Sequence, residues 1–192
     1  MAEIKLTNGR VREMEAKDLP VLIRMSQEKD IRDFYLVEEI PFMEAYWQER
    51  LDYQIELRTE GGIRHLYDLP IEHQGVVKGL LTLNVNPYVY CTSRDSGPDK
   101  HQVEVSYFIG SEFRGKGIAT EVINLAIPYS FNNLNAGIIC GVCLKENIIS
   151  QNILRKAGLE KHWEGVCQTK RAKGREVVVY GLTWEEYSRI TH

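Results

Sequence analysis

The chain has 192 residues, of which 43% are hydrophobic and 27% charged, and its net charge is −3 at pH 7. This composition predicts a soluble globular protein folded as a single domain over residues 1–192, because two separate domains would each have a thin core. The charge argues against a general nucleic-acid binder, and the chain has no run of about 20 apolar residues that predicts a membrane span. The first ten residues, MAEIKLTNGR, lack the apolar stretch of a signal peptide, so we expect a cytoplasmic protein.

Apolar periodicity and turn residues predict alternating strands and helices along the chain. The first half should contain a strand, a helix capped by Asp18, a second helix and a hairpin, which span Arg10–Glu13, Leu19–Gln27, Pro41–Thr59, Ile63–Glu72 and Val76–Asn86. The second half should contain a strand, a helix, a strand, a helix and two closing strands, which span Gln102–Gly110, the segment from Ile118, Ile138–Leu144, Ile149–Ala157, Leu159–Gln168 and Glu176–Leu182.

Three of these segments carry further expectations. Met43, Trp47, Leu51 and Ile55 recur at every fourth position, which predicts one buried face of the second helix and a core role for its aromatic residues. Pro128 should bend or shorten the helix that follows Ile118. The polar segment 86–100 is a long loop of the kind that is often functional.

Cys140 and Cys143 form a C-x-x-C pattern inside an apolar strand. Residues three apart on a strand point to opposite faces, so we expect reduced core cysteines instead of a disulfide or a metal site. The five histidines show no ligand spacing, and we predict no bound metal.

The stretch Phe113–Thr120, FRGKGIAT, contains two glycines and two cations where a strand ends and a helix begins. Unpaired backbone N–H groups and the positive end of the helix make such a turn an anion site. Lys116 is followed by glycine and not by Ser or Thr, which excludes a P-loop, and Thr120 stands where a dinucleotide loop needs its third glycine.

The segment Arg114-x-x-Gly117-x-Ala119 resembles the [QR]-x-x-G-x-[GA] pyrophosphate loop of the GNAT superfamily of N-acetyltransferases. Three further segments are similar to superfamily blocks, in the same order. They are Glu104–Ile109 (the E-[IV]-[GS]-Y-x-[IL] strand), Asn147–Ser150 with Lys156–Leu159 (the N-x-x-S…K-x-G-F segment), and Arg175–Leu182 with Trp184 (the closing strand of the Rim-type, ribosomal-protein branch).

The resemblance implies a mixed α/β (α+β) fold with a central, mostly antiparallel, twisted sheet of about seven strands flanked by about four helices. It also implies acetyl-CoA as cosubstrate and a primary amine as acceptor, with protein N-termini as the acceptors of the Rim-type branch. Relatives in that branch often pair, so a homodimer is one implied assembly. The residues that the resemblance assigns to cofactor binding are Tyr107, Phe108, Ile109, Arg114, Gly115, Lys116, Gly117, Ile118, Ala119, Thr120 and Asn147.

Two residues are candidates for proton transfer. Glu104, on the strand that leads to the loop, is the candidate base, and its alternative is a structural acid inside the sheet. Leu154 occupies the position where many members carry a tyrosine that protonates the departing CoA thiolate. The resemblance therefore assigns the protonation of the thiolate to Ser150 instead. The alternative role of Ser150 is to cap or line the helix, and the alternative role of Asn147 is to form a turn after the strand.

The acceptor remains open among three hypotheses. Residues 28–60 contain ten Asp or Glu and four Lys or Arg, a local charge of −6, which favours a cationic acceptor or reflects no more than a soluble surface. The hypotheses are a protein N-terminal acetyltransferase, a small-amine acetyltransferase (for a polyamine, an amino acid or an aminoglycoside), and an acyl-CoA-binding module without catalysis.

Overall fold

The computed structural model describes residues 3–36, 43–59, 64–86, 101–168 and 172–191. Several expectations fall outside these ranges. They concern the start of the second helix at Pro41, the start of the hairpin at Ile63, and residues 87–100 of the long polar loop.

Eight strands of the described residues form one sheet, in the order β1-β2-β3-β4-β5-β6-β8-β7. Strand β5 pairs with β6 in parallel, whereas β1–β2, β2–β3, β6–β8 and β7–β8 pair antiparallel. The strands span Ile4–Leu6 (β1), Gly9–Val11 (β2), Leu66–His73 (β3), Val76–Val85 (β4), His101–Ile109 (β5), Ala136–Leu144 (β6), Glu160–Val166 (β7) and Glu176–Thr183 (β8).

Six helices accompany the sheet in the described ranges, and the mixed α/β fold with a mostly antiparallel sheet is confirmed. The structure adds β1 and the helices over Lys29–Ile31 and Trp184–Thr191 to the predicted elements. None of these helices is long and apolar enough to cross a membrane. The helices span Leu19–Ser26 (α1), Lys29–Ile31 (α2, which continues as a π-helical turn over Arg32–Leu36), Met43–Thr59 (α3), Ile118–Asn133 (α4), Ile148–Lys156 (α5) and Trp184–Thr191 (α6).

The chain forms two compact units. The first unit comprises Met1–Leu83 and Tyr107–Val122, and the second comprises Asn84–Ser106 and Ile123–His192. Strands β4 and β5 and helix α4 each contribute residues to both units.

The core of the first unit is built around Trp47, which is fully buried and donates from its indole nitrogen to Ser26 Oγ at 2.9 Å. Leu51 is buried as expected, but Ile55 is 45% exposed, and Gln54 is buried in its place. A helix turns 100° per residue, so positions four apart drift by about 40° at each step, and the buried face moves from position 55 to position 54. The buried face predicted for the last turns of α3 was therefore wrong by one residue.

Asp18 does not cap α1 with its side chain. It is 2% exposed, forms a bidentate pair with Arg12 at 2.8 Å for both contacts, and accepts the Glu15 N–H at 2.9 Å. Arg12 also donates to Glu72 at 2.8 Å. The Asp18 carboxylate binds Arg12 and does not cap α1, because a buried guanidinium without acceptors costs more free energy than an exposed helix end without a cap.

We expect Glu72→Gln to reduce the free energy of unfolding at pH 7 by about 1–2 kcal/mol, because it removes a charge-assisted hydrogen bond to Arg12. The hydrogen bond from Arg12 is the main cause that lowers the pKa of Glu72 below its ordinary value of 4.5. A lowered pKa stabilises the fold above pH 4.5, and this contribution is lost as the pH falls through the folded-state value.

Denaturant titrations from pH 7 down to pH 3 test this expectation. The gap between wild type and Glu72→Gln should close below about pH 4.5, whereas Glu160→Gln, at an exposed position of β7, should change stability little at any pH. A gap that stays constant with pH would show that Glu72 acts through packing and not through its charge.

In the second unit, α4 continues through Pro128 to Asn133, so the proline does not end it. Ile123, Ile127 and Phe131 are 0%, 4% and 5% exposed, and their burial offsets the hydrogen bond that proline cannot donate. Ser130 Oγ donates to the Ala126 carbonyl at 2.8 Å in the same turn.

Candidate active site

The segment between β5 and α4 forms a turn with two glycines in the left-handed region. Gly115 has φ +74° and Gly117 has φ +76°, and a Cβ atom built on either would meet nothing within 4 Å. The left-handed backbone explains why glycine occupies both positions, and the empty space beside them lets a ligand approach the main chain closely.

Six consecutive N–H groups of this turn, from Gly115 to Thr120, have no hydrogen-bond acceptor among the described residues. The first bond of the helical ladder runs from Glu121 N to the Gly117 carbonyl at 3.0 Å. Ile118 is buried, whereas the four residues before it are exposed. The turn therefore presents a row of backbone donors at the positive end of α4, which is the arrangement that binds phosphate groups.

The two cations of the turn are in different situations. Lys116 is exposed, and its Nζ contacts only the Glu112 carbonyl at 3.2 Å and the Phe113 ring among the described residues. Arg114 contacts two carboxylates, Asp30 at 2.8 Å and Glu28 at 3.3 Å. Sequence reasoning missed these carboxylates, which lie 84 and 86 positions from Arg114 and leave no local signal.

Tyr107, Phe108 and Ile109 lie at the end of β5, immediately before the turn. Phe108 is 4% exposed and its ring packs edge-on against Trp47, with centroids 6.4 Å apart, so its side chain is not available to a ligand. Gly79 on β4 allows a close approach, because a Cβ there would lie 2.2 Å from the Phe108 carbonyl oxygen.

In the second unit, Glu104 lies on β5 in register with Cys140 of the parallel strand β6. It is 8% exposed. A carboxylate at this depth is placed for a few directed contacts and is shielded from bulk water, which is compatible with both the catalytic and the structural interpretation.

Asn147 is the N-cap of α5, since its Oδ1 accepts the Ser150 N–H at 3.1 Å. Asn147 thus caps α5, a role that the sequence suggests for Ser150, and capping uses only its amide oxygen. The Nδ2 group donates to no acceptor among the described residues, so it is available to a ligand amide or carbonyl.

The Ser150 side chain hydrogen-bonds Cys143. Burial raises the pKa of the Cys143 thiol to about 12, against the opposing effect of this hydrogen bond, and the thiol donates to the Val178 carbonyl at 3.7 Å. Cys143 is therefore protonated near neutral pH and is not a nucleophile. Cys140, Cys143 and Cys167 form no disulfide and are buried, as predicted for Cys140 and Cys143.

Leu154 is 2% exposed and packs over β6, where a Cβ at Gly141 would lie 2.8 Å from Leu154 Cδ1. This position of α5 thus carries apolar packing and no proton donor. No group of three or more His, Cys, Asp or Glu in the described ranges is placed to hold a metal ion.

The sequence of the chain matches the profile of the GNAT acetyltransferase domain over residues 10–160. The match covers more than half of the chain and includes β5, the glycine turn and α5. The chain therefore belongs to the GNAT acetyltransferase family, whose members use acetyl-CoA as cosubstrate.

Curated relatives agree with this assignment. The uncharacterized N-acetyltransferase YnaD of Bacillus subtilis is 28% identical over 88 residues, which are 46% of this chain and 47% of YnaD. The match to YnaD thus spans about half of that protein. The uncharacterized N-acetyltransferase p20 of Bacillus licheniformis is 24% identical over 181 residues, which are 93% of this chain and 94% of p20.

Solved structures of low sequence identity share the fold. Mycobacterium smegmatis RimJ, in complex with CoA-disulfide, has a TM-score of 0.75 at 15% identity, with 96% of this chain and 87% of RimJ covered. The ribosomal-protein-S5-alanine acetyltransferase of Vibrio fischeri also has a TM-score of 0.75 at 15% identity, covering 95% and 97%. The spermidine N-acetyltransferase of Vibrio cholerae, in complex with CoA and spermine, has a TM-score of 0.69 at 19% identity, covering 93% and 96%.

Proposed function

We propose that the chain is an acetyl-CoA-dependent N-acetyltransferase that moves an acetyl group to a primary amine by direct attack, with a protein N-terminal amine as acceptor. The observation that carries this proposal is the row of unpaired N–H groups from Gly115 to Thr120, at the family's pyrophosphate position. The family match runs through residues of both units, which supports one catalytic domain. In this proposal the enzyme acts in the cytoplasm, and a homodimer is its expected assembly.

Binding of acetyl-CoA in this proposal uses mainly the backbone. The N–H groups of the turn surround the pyrophosphate, and Lys116 adds a positive charge beside them. The end of β5, from Tyr107 to Ile109, pairs with the pantetheine amides and polarises the thioester carbonyl. Asn147 donates to the pantetheine arm from Nδ2, the part of its amide that capping leaves available.

An α-amine is the acceptor that needs the least help from a general base. With a reference pKa of about 7.7–8.0, roughly one in ten α-amines is neutral at pH 7, compared with about one in several thousand lysine side chains. A weak or water-mediated base is therefore sufficient for a protein N-terminus.

The proposed reaction needs two proton transfers and no covalent enzyme intermediate. The neutral amine attacks the thioester carbon, the C–S bond breaks, and the ammonium proton of the attacking nitrogen passes to Glu104, directly or through a water. The departing CoA thiolate is protonated through the Ser150 hydroxyl, which takes up a proton from solvent water as it gives one to the sulfur, and Glu104 releases its proton to solvent. The Ser150 hydroxyl also hydrogen-bonds Cys143, and Leu154 offers no alternative proton donor.

Replacing Ser150 by alanine should lower kcat by about 10- to 100-fold and leave the KM for acetyl-CoA nearly unchanged, because the thiolate loses its proton donor only after binding. Steady-state kinetics with a peptide acceptor would measure this effect. Ser188→Ala is the matched control, since Ser188 also makes one local hydrogen bond on a helix, to the Glu185 carbonyl at 3.0 Å. Equal, small effects of both replacements would show that Ser150 has a structural role in α5 and does not protonate the thiolate.

A small cationic amine is the second candidate acceptor. Helix α3 exposes four acidic residues, Glu44, Glu49, Asp52 and Glu56. Arg50 of the same helix forms a salt bridge with the buried Asp68. The exposed side of α3 is therefore acidic, which would attract a polyamine as well as a basic peptide. The spermidine acetyltransferase of Vibrio cholerae shows that the fold serves such substrates.

Release of free CoA thiol from acetyl-CoA, measured across a panel of acceptors, separates these functions. The panel contains ribosomal-protein N-terminal peptides, the same peptides with a blocked N-terminus, spermidine and an aminoglycoside. We expect release with the free peptides and none with the blocked ones. Release with spermidine alone would favour the second candidate, and CoA binding without any release would favour a non-catalytic binding module.

A further inference from the structure

Arg114, the first residue of the family motif, is held by three groups of the first unit. Its Nη1 donates to Asp30 at 2.8 Å, its Nη2 contacts Glu28 at 3.3 Å, and its Nε donates to the Ile109 carbonyl at 2.9 Å. These contacts engage all three nitrogens of the guanidinium. Two carboxylates around one guanidinium leave a local charge of −1, which disfavours a phosphate at the same place.

Glu28 has a second contact within the first unit, and Asp30 is the sequence neighbour of a core residue. Glu28 also accepts the Ser111 N–H at 2.9 Å, so it contacts both ends of the short turn that leads to the glycines. Asp30 lies on α2 beside Ile31, which is 3% exposed and belongs to the same core cluster as Trp47. The side chain of Arg114, which is 37% exposed, thus contacts two carboxylates that belong to packed parts of the first unit.

The contacts of Arg114 lie where they determine the shape of the turn. The Ile109 carbonyl ends β5, and the unpaired N–H groups begin at Gly115, one residue after Arg114. A bond across residues 109–114 fixes the exit from the strand and with it the direction of the donors that follow. Gly115 and Gly117 have no side chains that could hold the turn, and the bond from Arg114 to the Ile109 carbonyl supplies one support directly before them.

We propose that Arg114 is a positioning residue, which Glu28 and Asp30 hold so that the Gly115–Thr120 N–H groups converge, and that it is not itself a pyrophosphate ligand. This inference rests on the proposed binding of acetyl-CoA. It assigns a role in cofactor binding to two acidic residues outside the motif, and it leaves Lys116 as the cation that faces the phosphates.

The two possible roles of Arg114 predict opposite changes in CoA affinity for the double variant Glu28→Gln/Asp30→Asn. If Arg114 bound phosphate, Glu28→Gln/Asp30→Asn would release it and tighten CoA binding. If Arg114 positions the turn, this double variant should weaken CoA binding by about tenfold, the equivalent of one charge-assisted hydrogen bond. Arg114→Gln should have the same effect, and the triple variant should be no weaker than Arg114→Gln alone.

Calorimetric titration with CoA at low and high NaCl is the experiment, with Lys116→Gln as the reference for a phosphate-facing cation. Lys116→Gln should reduce the salt dependence of the affinity, whereas Arg114→Gln should leave it unchanged. Tighter binding by Glu28→Gln/Asp30→Asn, or a reduced salt dependence in Arg114→Gln, would overturn the inference. Absence of CoA binding by the wild type would instead overturn the proposed function.

Amide hydrogen exchange of the ligand-free proteins gives a second readout, which does not depend on CoA. Exchange at residues 115–120 should become faster in Arg114→Gln and in Glu28→Gln/Asp30→Asn, and stay unchanged in Lys116→Gln. Unaltered exchange in the first two variants would contradict a positioning role. The single variants Glu28→Gln and Asp30→Asn serve if the double variant unfolds.

Discussion

Replacing Gly117 by tryptophan is expected to weaken CoA binding by more than about 100-fold, because a side chain at this position would cover the backbone donors and block at least two charge-assisted hydrogen bonds. The protein should remain folded. A Cβ at Gly117 meets nothing within 4 Å, so the cost is limited to the left-handed backbone, about 1–2 kcal/mol. Calorimetric titration with CoA, together with thermal unfolding, measures both effects.

Gly75 provides a matched control for this substitution. It lies in the β3–β4 turn of the same unit with φ +74°, and a Cβ there also meets nothing within 4 Å. Gly75→Trp should therefore lose a similar amount of stability and keep its affinity for CoA. Retained CoA binding in Gly117→Trp would mean that the glycine turn is not the phosphate site.

Replacing Glu104 by glutamine is expected to lower turnover by about 100-fold at pH 6 and by much less at pH 9, because the acceptor amine becomes neutral without help as the pH rises. The amide keeps the size of the side chain and removes only its basic oxygen. A profile of kcat/KM against pH with an N-terminal peptide as acceptor measures this effect.

Glu160→Gln, at an exposed position of β7 in the same unit, is the control for this profile. It should reproduce the wild-type curve. A Glu104→Gln profile of unchanged shape, whatever its height, would remove Glu104 from the role of base and leave it as a buried structural acid.

The glycine turn could be predicted from the sequence because its geometry is local. Glycine permits the positive φ angles at Gly115 and Gly117, and the donors follow from the start of a helix. The strand–turn–helix order around the motif was therefore correct, with boundaries accurate to about one residue.

Helix α6 was missed although the sequence contains its start signal. Thr183 and Glu186 form a capping box, in which Thr183 Oγ1 accepts the Glu186 N–H at 3.2 Å and Glu186 accepts the Thr183 N–H at 2.8 Å. A Thr-x-x-Glu pattern directly after an apolar strand is the signal that would have found it.

Other features depend on residues far apart in the chain, and no local pattern could reveal them. Asp18 is a good helix cap by residue type, but Arg12 and a buried environment bind its carboxylate instead. Arg114 matches a cofactor motif, yet its partners come from α2 and the residue before it. In both cases a tertiary ion pair overrides the local preference of the residue.

The most direct test of the account is the location of the transferred acetyl group. The protein is incubated with acetyl-CoA and a ribosomal-protein N-terminal peptide that also contains a lysine, and the product is sequenced by tandem mass spectrometry. We expect one acetyl group, on the α-amine and not on the lysine. Acetylation of the lysine alone, or of spermidine while the peptide stays unmodified, would contradict it.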